Sequence, residues 1–183
     1  TTINLGASFI KLAQVLATRA DFFSDEYLDE LKELHDQLPC MNEKDCNTIF
    51  SRAFKENPFS SFDKTPIASA SIGQVHVAYL KNGEKVAVKL RRMEIKERVT
   101  ADIRIIKFFN TIFKPLFSHY TKNSIEAVVS EFSSMILQEV SLNHELTNLQ
   151  KFTKTYKDSG VKFPKAFEQI CSDDALVMSY EEG

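Results

Sequence analysis

Residues 75–90 read VHVAYLKNGEKVAVKL, and this stretch decides the fold class. On both sides of Asn82-Gly83, apolar side chains occupy every second position: Val75, Val77, Tyr79, Val86, Val88 and Leu90. Such alternation is typical of strands that bury one face, and Asn-Gly between two alternating runs is the strongest short-range signal for a hairpin. The stretch therefore predicts two antiparallel strands.

The segments around this hairpin have patterns of their own. Apolar stripes with a spacing of three and four predict helices over residues 5–16, 24–38, 42–57, 95–113 and 124–152. Asn42 is a candidate N-cap for the third of these helices. Two short apolar runs, at residues 161–167 and 175–180, predict a final pair of strands. This order of helices and strands predicts an α+β fold.

Composition excludes several classes of function. The chain has 183 residues, 43% of them apolar, as expected for a chain that buries a core. Its 23 basic and 25 acidic side chains nearly balance, which argues against a dedicated nucleic-acid binder. The three cysteines lack CxxC spacing, which argues against a disulfide scaffold or a zinc site and favours a reducing compartment. No apolar run is long enough to span a membrane.

Lys89 is the first candidate for chemistry, because it ends the apolar run Val86-Ala87-Val88 on a predicted strand. In nucleotide-binding small lobes, such a lysine holds phosphate oxygens, and a glutamate on a helix fixes it by an ion pair. A solvated strand lysine is the plainer interpretation of these four residues alone.

The second candidate is PIASASIGQVH at residues 66–76, directly before the hairpin. Small residues let the backbone approach a phosphate closely, with amide groups as anion donors. Alanine and serine stand where a glycine-rich loop would have glycine, which restricts positive φ and stiffens the loop. A small-residue packing turn is the alternative, with His76 as an ordinary strand histidine.

The third candidate is KLAQ at residues 11–14. At 100° per residue, Lys11 and Gln14 lie about 60° apart on a helix, opposite its apolar stripe. That face would present an amine and an amide. Taken alone, a solvated helix face is the more common explanation.

Together these segments resemble the UbiB/aarF-domain (ADCK-type) family of atypical protein-kinase-like proteins. The similar pattern runs in order along the chain, over residues 9–14, 18–21, 62–63, 66–76, 86–89, 139–148 and 176–183. The resemblance implies a kinase-like small lobe, with an antiparallel sheet and a C-type helix, plus family-specific N-terminal helices. We therefore expect a helical extension at residues 1–57 and the lobe at residues 58–183, ending at the hinge.

The resemblance also assigns roles in nucleotide binding. Lys89 is similar to the lysine that contacts ATP phosphates, and Glu145 to its helix-borne partner. The alanine-rich phosphate loop would be formed by Ala68, Ser69, Ala70 and Ser71. Adenine would be received at the hinge, around Met178 and Tyr180.

Three further residues are expected at the catalytic site. Lys11 and Gln14 match the family's K-x-G-Q motif, whose helix covers the site where a protein substrate would dock. Glu139 matches the first residue of the E-x-D motif, which pairs with that lysine. No stretch similar to His-Gly-Asp or Asp-Phe-Gly occurs. We therefore expect the Mg²⁺ ligands in a large lobe that this chain lacks, and a chain cut at both ends.

The function implied is that of the ATP-binding lobe of an atypical kinase or ATPase that supports ubiquinone or other prenyl-lipid biosynthesis. Expected partners are ATP, prenyl lipids or lipid-biosynthesis proteins, and a membrane surface, but no nucleic acid. The resemblance leaves three compartments open for this protein: the bacterial cytoplasm, the matrix side of the mitochondrial inner membrane, or a plastid.

Departures from the family pattern keep an alternative open. Ala13 replaces the glycine of K-x-G-Q, Ser141 the aspartate of E-x-D, and Ser179 an acidic hinge residue. Arg92-Met93 lacks a proline that often follows the lysine strand. The alternative is a catalytically impaired pseudokinase that serves as an interaction module for a lipid-biosynthesis complex.

A helical membrane-surface binder without a nucleotide role is a third possibility. It rests on aromatic and basic residues near the end of one predicted helix: Lys107, Phe108, Phe109, Phe113, Lys114 and Phe117. Because these phenylalanines continue an apolar helical stripe, the pattern favours core packing for them.

Overall fold

The computed structural model describes residues 39–182, apart from the side chains of His119 and Tyr120. The predicted helices at residues 5–16 and 24–38 lie outside this range, as do Lys11 and Gln14. The helical extension at residues 1–57 thus stays a prediction.

The described residues form an α+β structure, as predicted. Its helices are α1 (Glu43–Ala53), α2 (Ile95–Phe113), α3 (His119–Glu139) and α4 (Leu142–Thr155), with short 3₁₀ helices at Lys114–Leu116 and Glu168–Ile170. Its strands are β1 (Phe59–Phe62), β2 (Ala68–Ser69), β3 (Gly73–Leu80), β4 (Lys85–Arg91) and β5 (Ala175–Ser179). The described chain divides into two compact units, residues 94–138 and residues 39–93 with 139–182.

The predicted hairpin forms the centre of a five-stranded sheet. Its strands lie in the order β1-β3-β4-β5, β2 pairs with β3, and every pairing is antiparallel. The hairpin turn closes with hydrogen bonds from the Gly83 N–H to the Leu80 carbonyl and from the Leu80 N–H to the Glu84 carbonyl. Gly83 has a φ of 87°, which is why glycine is needed at this position.

One face of the sheet packs on α1. The Asn42 side chain caps this helix by accepting a hydrogen bond from the Asp45 N–H at 2.8 Å, as predicted. Cys46 and Ile49 of α1 then pack against alternate strand residues in one apolar core, together with Phe54, Phe59, Ala78, Leu80, Val86, Val88, Leu90, Ala175 and Val177. Because side chains alternate across a strand, the intervening residues of β4 lie on the opposite face.

The helix predicted over residues 124–152 is two helices, so that prediction was wrong. The chain leaves α3 after Glu139 and starts α4 at Leu142. Ser141 has extended backbone angles, and its side chain accepts a hydrogen bond from the His144 N–H as the N-cap of α4. The apolar spacing continues across this break and therefore conceals it.

The prediction of a strand at residues 161–167 was also wrong. This segment makes a single bridge to the sheet, from Ala166 to Met178. Pro164 has no N–H to donate to a ladder, which explains why the pairing stays local. The partner strand β5 forms as predicted and ends at Ser179.

The phenylalanines of the second half of α2 are exposed, so the expectation of core packing was wrong for them. The exposed fraction is 61% for Phe108, 51% for Phe109 and 45% for Phe113. Leu116, in the 3₁₀ helix that follows, is 77% exposed. None of the helices in the described part of the chain is both long and apolar enough to cross a membrane.

Candidate functional site

Lys89 and Glu145 form an ion pair between the sheet and α4. The Lys89 ammonium lies 2.7 and 2.9 Å from the two carboxylate oxygens of Glu145. The two side chains are 18% and 37% exposed, so the pair is shielded but still open to solvent on one side. The structure thus brings together the two residues that the family resemblance proposed as partners.

Local structure explains why these two side chains meet. Lys89 lies on the face of β4 opposite the α1 core, because its neighbours Val88 and Leu90 are fully buried in that core. Glu145 is the fourth residue of α4, one turn after the Ser141 cap. The cap therefore fixes where the helix starts and, with it, where Glu145 points.

An apolar surface continues from Lys89 across the sheet. Ala68, Val75 and Lys89 lie in one row across β2, β3 and β4. The next row on the same face holds Val77 and Ala87, and it continues to Met178 on β5. These apolar side chains are buried or half-buried, with the exception of exposed Ala68. Val75, Val77 and Ala87 were not predicted as site residues, although strand alternation from Lys89 places Ala87 on the same face.

The small-residue segment is a short strand and a closed turn. Ala68 and Ser69 pair with β3, and the Ala70 N–H donates to the Gly73 carbonyl at 2.8 Å. Ser71 is fully buried in this turn. Any Cβ added at Gly73 would lie 2.8 Å from the Leu90 carbonyl oxygen, so glycine is required where the turn meets β4.

Arg92 holds this turn from the end of β4. Its Nε donates to the Ala70 carbonyl at 2.8 Å, and its Nη2 donates to the Ser69 hydroxyl at 2.8 Å. Nη2 also donates to the Pro39 carbonyl, which ties the chain before α1 to the same group. The predicted phosphate loop is therefore a turn in this structure, and the Arg92 guanidinium holds it in place through hydrogen bonds.

Gln74 and His76 form a buried network beneath the turn. The Asp63 carbonyl can only accept, so the His76 Nδ1–H donates to it at 2.8 Å. The Gln74 amide nitrogen can only donate, so the His76 Nε2 accepts from it at 2.8 Å. Burial lowers the pKa of His76, and the hydrogen bond to Asp63 opposes this only in part. His76 is thus a neutral structural histidine.

The hinge residues are already engaged in the sheet. Met178 pairs with Ala87 on one side and bridges to Ala166 on the other. The Tyr180 N–H donates to the Lys85 carbonyl at 3.3 Å, and its ring lies 3.7 Å from the Lys85 ammonium. The Tyr180 N–H is therefore already used within the sheet, and any hydrogen bond from Tyr180 to a nucleotide would have to involve another of its groups.

Glu139 ends α3 and is half-buried. Its predicted partner Lys11 lies outside the described residues, so that contact stays a prediction. Ser141, two residues later, donates from its hydroxyl to Asp173 Oδ1 at 3.2 Å. This serine therefore has a structural role at the start of α4.

An ionic network of two arginines and an aspartate lies at the end of β4. Arg91 and Arg52 both bind the carboxylate of Asp174, with shortest distances of 2.5 Å each. Burial alone would raise the pKa of Asp174, but the hydrogen bond from Arg52 and the charge of Arg91 outweigh it and hold the pKa below its usual range. The sequence pattern did not point to this network, because its members are far apart along the chain.

Metal ligands do not cluster in the part of the chain that the structure describes. It contains no group of three or more histidine, cysteine, aspartate or glutamate side chains that could hold a metal ion. The groups that this face of the sheet presents are the Lys89–Glu145 ion pair and the apolar side chains beside it.

Comparison with known proteins agrees with this arrangement. A family model described as the ABC1 atypical kinase-like domain matches residues 33–183. The chain is 35% identical over 179 residues to the probable protein kinase UbiB of Shewanella loihica, with 95% of this chain and 33% of that protein covered. It is 34% identical over 185 residues to the protein ACTIVITY OF BC1 COMPLEX KINASE 1, chloroplastic, of Arabidopsis thaliana, with 98% of this chain and 27% of that protein covered. The chain thus spans about a third of the length of the curated relatives it matches.

A solved structure supports the same assignment. The chain is similar to Rv3197 of Mycobacterium tuberculosis, solved in complex with erythromycin, with a TM-score of 0.60 and 26% identity. The similarity covers 93% of this chain and 44% of that chain. It agrees with the predicted kinase-like α+β fold, and the family match confirms the resemblance drawn from the sequence motifs. The chain belongs to the ABC1 atypical kinase-like domain family.

Proposed function

We propose that this chain is the ATP-binding small lobe of a UbiB-type atypical kinase or ATPase. The observation that carries the proposal is the ion pair of Lys89 and Glu145, in which both carboxylate oxygens contact the ammonium. A shielded lysine fixed by a helix glutamate is the arrangement by which kinase-like proteins hold phosphate oxygens.

In this proposal, Lys89 contacts the phosphates and apolar side chains contact the adenine. The Lys89 ammonium has three hydrogens, of which two face Glu145, so one is left to donate to a phosphate oxygen. Val75, Ala87 and Met178 give the adjoining apolar surface on which an adenine ring would lie. When bound, ATP would supply the phosphoanhydride, and the Mg²⁺ that accompanies it would take its ligands from outside the described residues.

One of the residues that raised the pseudokinase alternative has a structural role in this lobe. Ser141 raised that alternative because it replaces an aspartate, but here it caps α4, a role that serine and aspartate perform about equally well. The replacement therefore leaves the start of α4, and the geometry of Glu145, intact.

We further propose that the whole protein acts in ubiquinone or other prenyl-lipid biosynthesis, with lipid-biosynthesis proteins and a membrane surface as partners. The family membership supports the first part of this proposal. The exposed phenylalanines of α2 support the membrane surface as a partner.

The test is ATP binding to the full-length protein that contains this chain. Lys89→Ala should weaken ATP affinity about tenfold or more, which corresponds to roughly 1.4 kcal/mol, because a charge-assisted contact to phosphate is lost. Lys81→Ala, at an exposed lysine in the hairpin turn, is the matched control and should leave the affinity unchanged. Equal affinities for the wild type and Lys89→Ala would contradict the proposal.

A further inference from the structure

Strand β4 carries a second cation on the same face as Lys89. Arg91 is two residues further along the strand, so its side chain leaves the sheet on the same side. It is 8% exposed, and its Nη1 lies 3.4 Å from the carbonyl oxygen of Val140. Arg91 therefore reaches the short segment between α3 and α4.

A carboxylate extends this contact to the first residues of α4. Asp173 Oδ2 lies 3.5 Å from Arg91 Nη1. The other oxygen, Oδ1, accepts from the Ser141 hydroxyl and from the Asn143 side-chain amide, both at 3.2 Å. The neighbouring Asp174 binds Arg91 Nη2 at 2.5 Å, which holds the segment that carries Asp173 against the strand.

Two residues of β4 hold the start of α4 from the same face of the sheet. Lys89 and Arg91 are two strand residues apart, about 6.6 Å. Lys89 binds Glu145 directly, whereas Arg91 contacts Val140 directly and reaches Ser141, the N-cap of α4, through Asp173. A shift of α4 by one helical turn along β4 would separate Glu145 from Lys89 and Ser141 from Asp173, so both contacts oppose such a shift.

We propose that Arg91, acting through Asp173, is a positioning residue that sets the register of α4 on β4 and thereby brings Glu145 to Lys89. The proposal uses the proposed nucleotide site for one of its readouts. It adds that the geometry of the Lys89–Glu145 pair is determined by a separate ionic anchor one helical turn away.

Arg52 provides a matched control for this idea. It binds the same Asp174 carboxylate, through Nε at 2.5 Å and Nη2 at 2.8 Å, but it does so from α1. Replacing Arg52 thus removes a cation from the network and leaves the contacts of Arg91 with Val140 and Asp173 in place. A general loss of stability should follow from either replacement, but a change in the register of α4 should follow only from replacing Arg91.

The experiment compares Arg91→Met, Arg52→Met and Arg91→Lys in the full-length protein. In Arg91→Met, hydrogen–deuterium exchange of the amides at residues 142–147 should quicken about tenfold, and ATP affinity should fall severalfold, since a charged hydrogen bond is lost. Arg52→Met should change neither quantity, and Arg91→Lys should recover part of both. If Arg91→Met does not fold, Asp173→Asn tests the same link at a more exposed position.

A double variant separates positioning from stability. Because Arg91 acts through Glu145 in this proposal, Arg91→Met should weaken ATP binding much less in a Glu145→Gln background than in the wild type. Additive losses, unchanged exchange at residues 142–147 in Arg91→Met, or equal effects of Arg52→Met would each overturn the proposal. If Lys89→Ala leaves ATP affinity unchanged, the proposed function fails, whereas the exchange measurement still decides whether Arg91 positions α4.

Discussion

His76 is a buried imidazole whose two nitrogens have fixed and opposite roles. Nδ1 donates to the Asp63 carbonyl and Nε2 accepts from Gln74, so a second proton on the ring would cost the hydrogen bond from Gln74. In the unfolded chain, the imidazole takes up a proton near pH 6.5. A lowered pKa in the folded state means that the contribution of His76 to stability is complete above pH 6.5 and is lost as the pH falls below that value.

We therefore predict that the free energy of unfolding falls between pH 7.5 and pH 5.5, and that part of this fall disappears in His76→Gln. The variant itself should be less stable at pH 7.5, by about 1–3 kcal/mol, because it loses buried hydrogen bonds. Urea unfolding at both pH values measures the two effects. The same loss of stability on acidification in both proteins would show that His76 does not titrate as inferred.

Single residues also show where sequence reasoning reaches its limit. Asn42 and Gly83 were predictable, because an N-cap and a hairpin turn depend on residues within a few positions. Lys89 and Glu145 were predicted as partners only through family resemblance, since 56 residues separate them. Arg91 and Asp174 are 83 residues apart, and nothing local in the sequence indicates that their charges meet.

At the scale of elements, the break between α3 and α4 is the feature on which the site depends. The apolar periodicity continues across residues 140–141, so the pattern alone predicted one helix. The physical signal was the serine at position 141, whose hydroxyl satisfies an amide that the start of a helix leaves without a partner. A continuous helix would have no such starting point to fix Glu145 one turn later.

The surroundings of this break lead to a prediction for Ser141→Asp, which restores the family's carboxylate. The new side chain would still cap α4, but it would lie near Asp173 Oδ1, which is 3.2 Å from the present hydroxyl. Two carboxylates at that distance repel each other, so we expect a loss of about 1–2 kcal/mol in the free energy of unfolding.

Replacing the neighbouring acid should relieve that repulsion. Ser141→Asp combined with Asp173→Asn should recover most of the lost stability, as measured by chemical denaturation. Asp173→Asn alone is the control. If Ser141→Asp is as stable as the wild type, or if the second change brings no recovery, the two side chains are not neighbours in the way the structure shows.

For α2, the sequence pattern predicted the helix but not which of its apolar residues are buried. The pattern identified the helix correctly, with its predicted bounds at residues 95–113. It could not separate apolar residues that pack, such as Val99 and Ile103, from exposed ones such as Phe108 and Ile112. The apolar periodicity indicates that the helix has an apolar stripe. Whether other parts of the protein cover that stripe depends on the tertiary structure, which the periodicity does not show.

At the scale of the whole molecule, this exposed apolar region is the feature that bears on partners. Phe108, Phe109, Ile112 and Leu116 are each about half or more exposed, which is costly in water unless a partner covers them. Lys107 stands in the same region and is exposed, and aromatic and aliphatic residues beside basic ones suit the interface of an anionic membrane. This is the basis for proposing a membrane surface as a partner.

The prediction is that the full-length protein floats with vesicles of phosphatidylcholine and an anionic phospholipid, and that Phe108→Glu with Leu116→Glu abolishes most of this flotation. Two carboxylates would oppose both the burial of the region and its attraction to anionic lipid. Phe152→Glu, at an exposed phenylalanine of α4, is the control and should float like the wild type. Flotation that persists in the double variant would exclude this region as the membrane contact, and the exposed phenylalanines would then require a different partner.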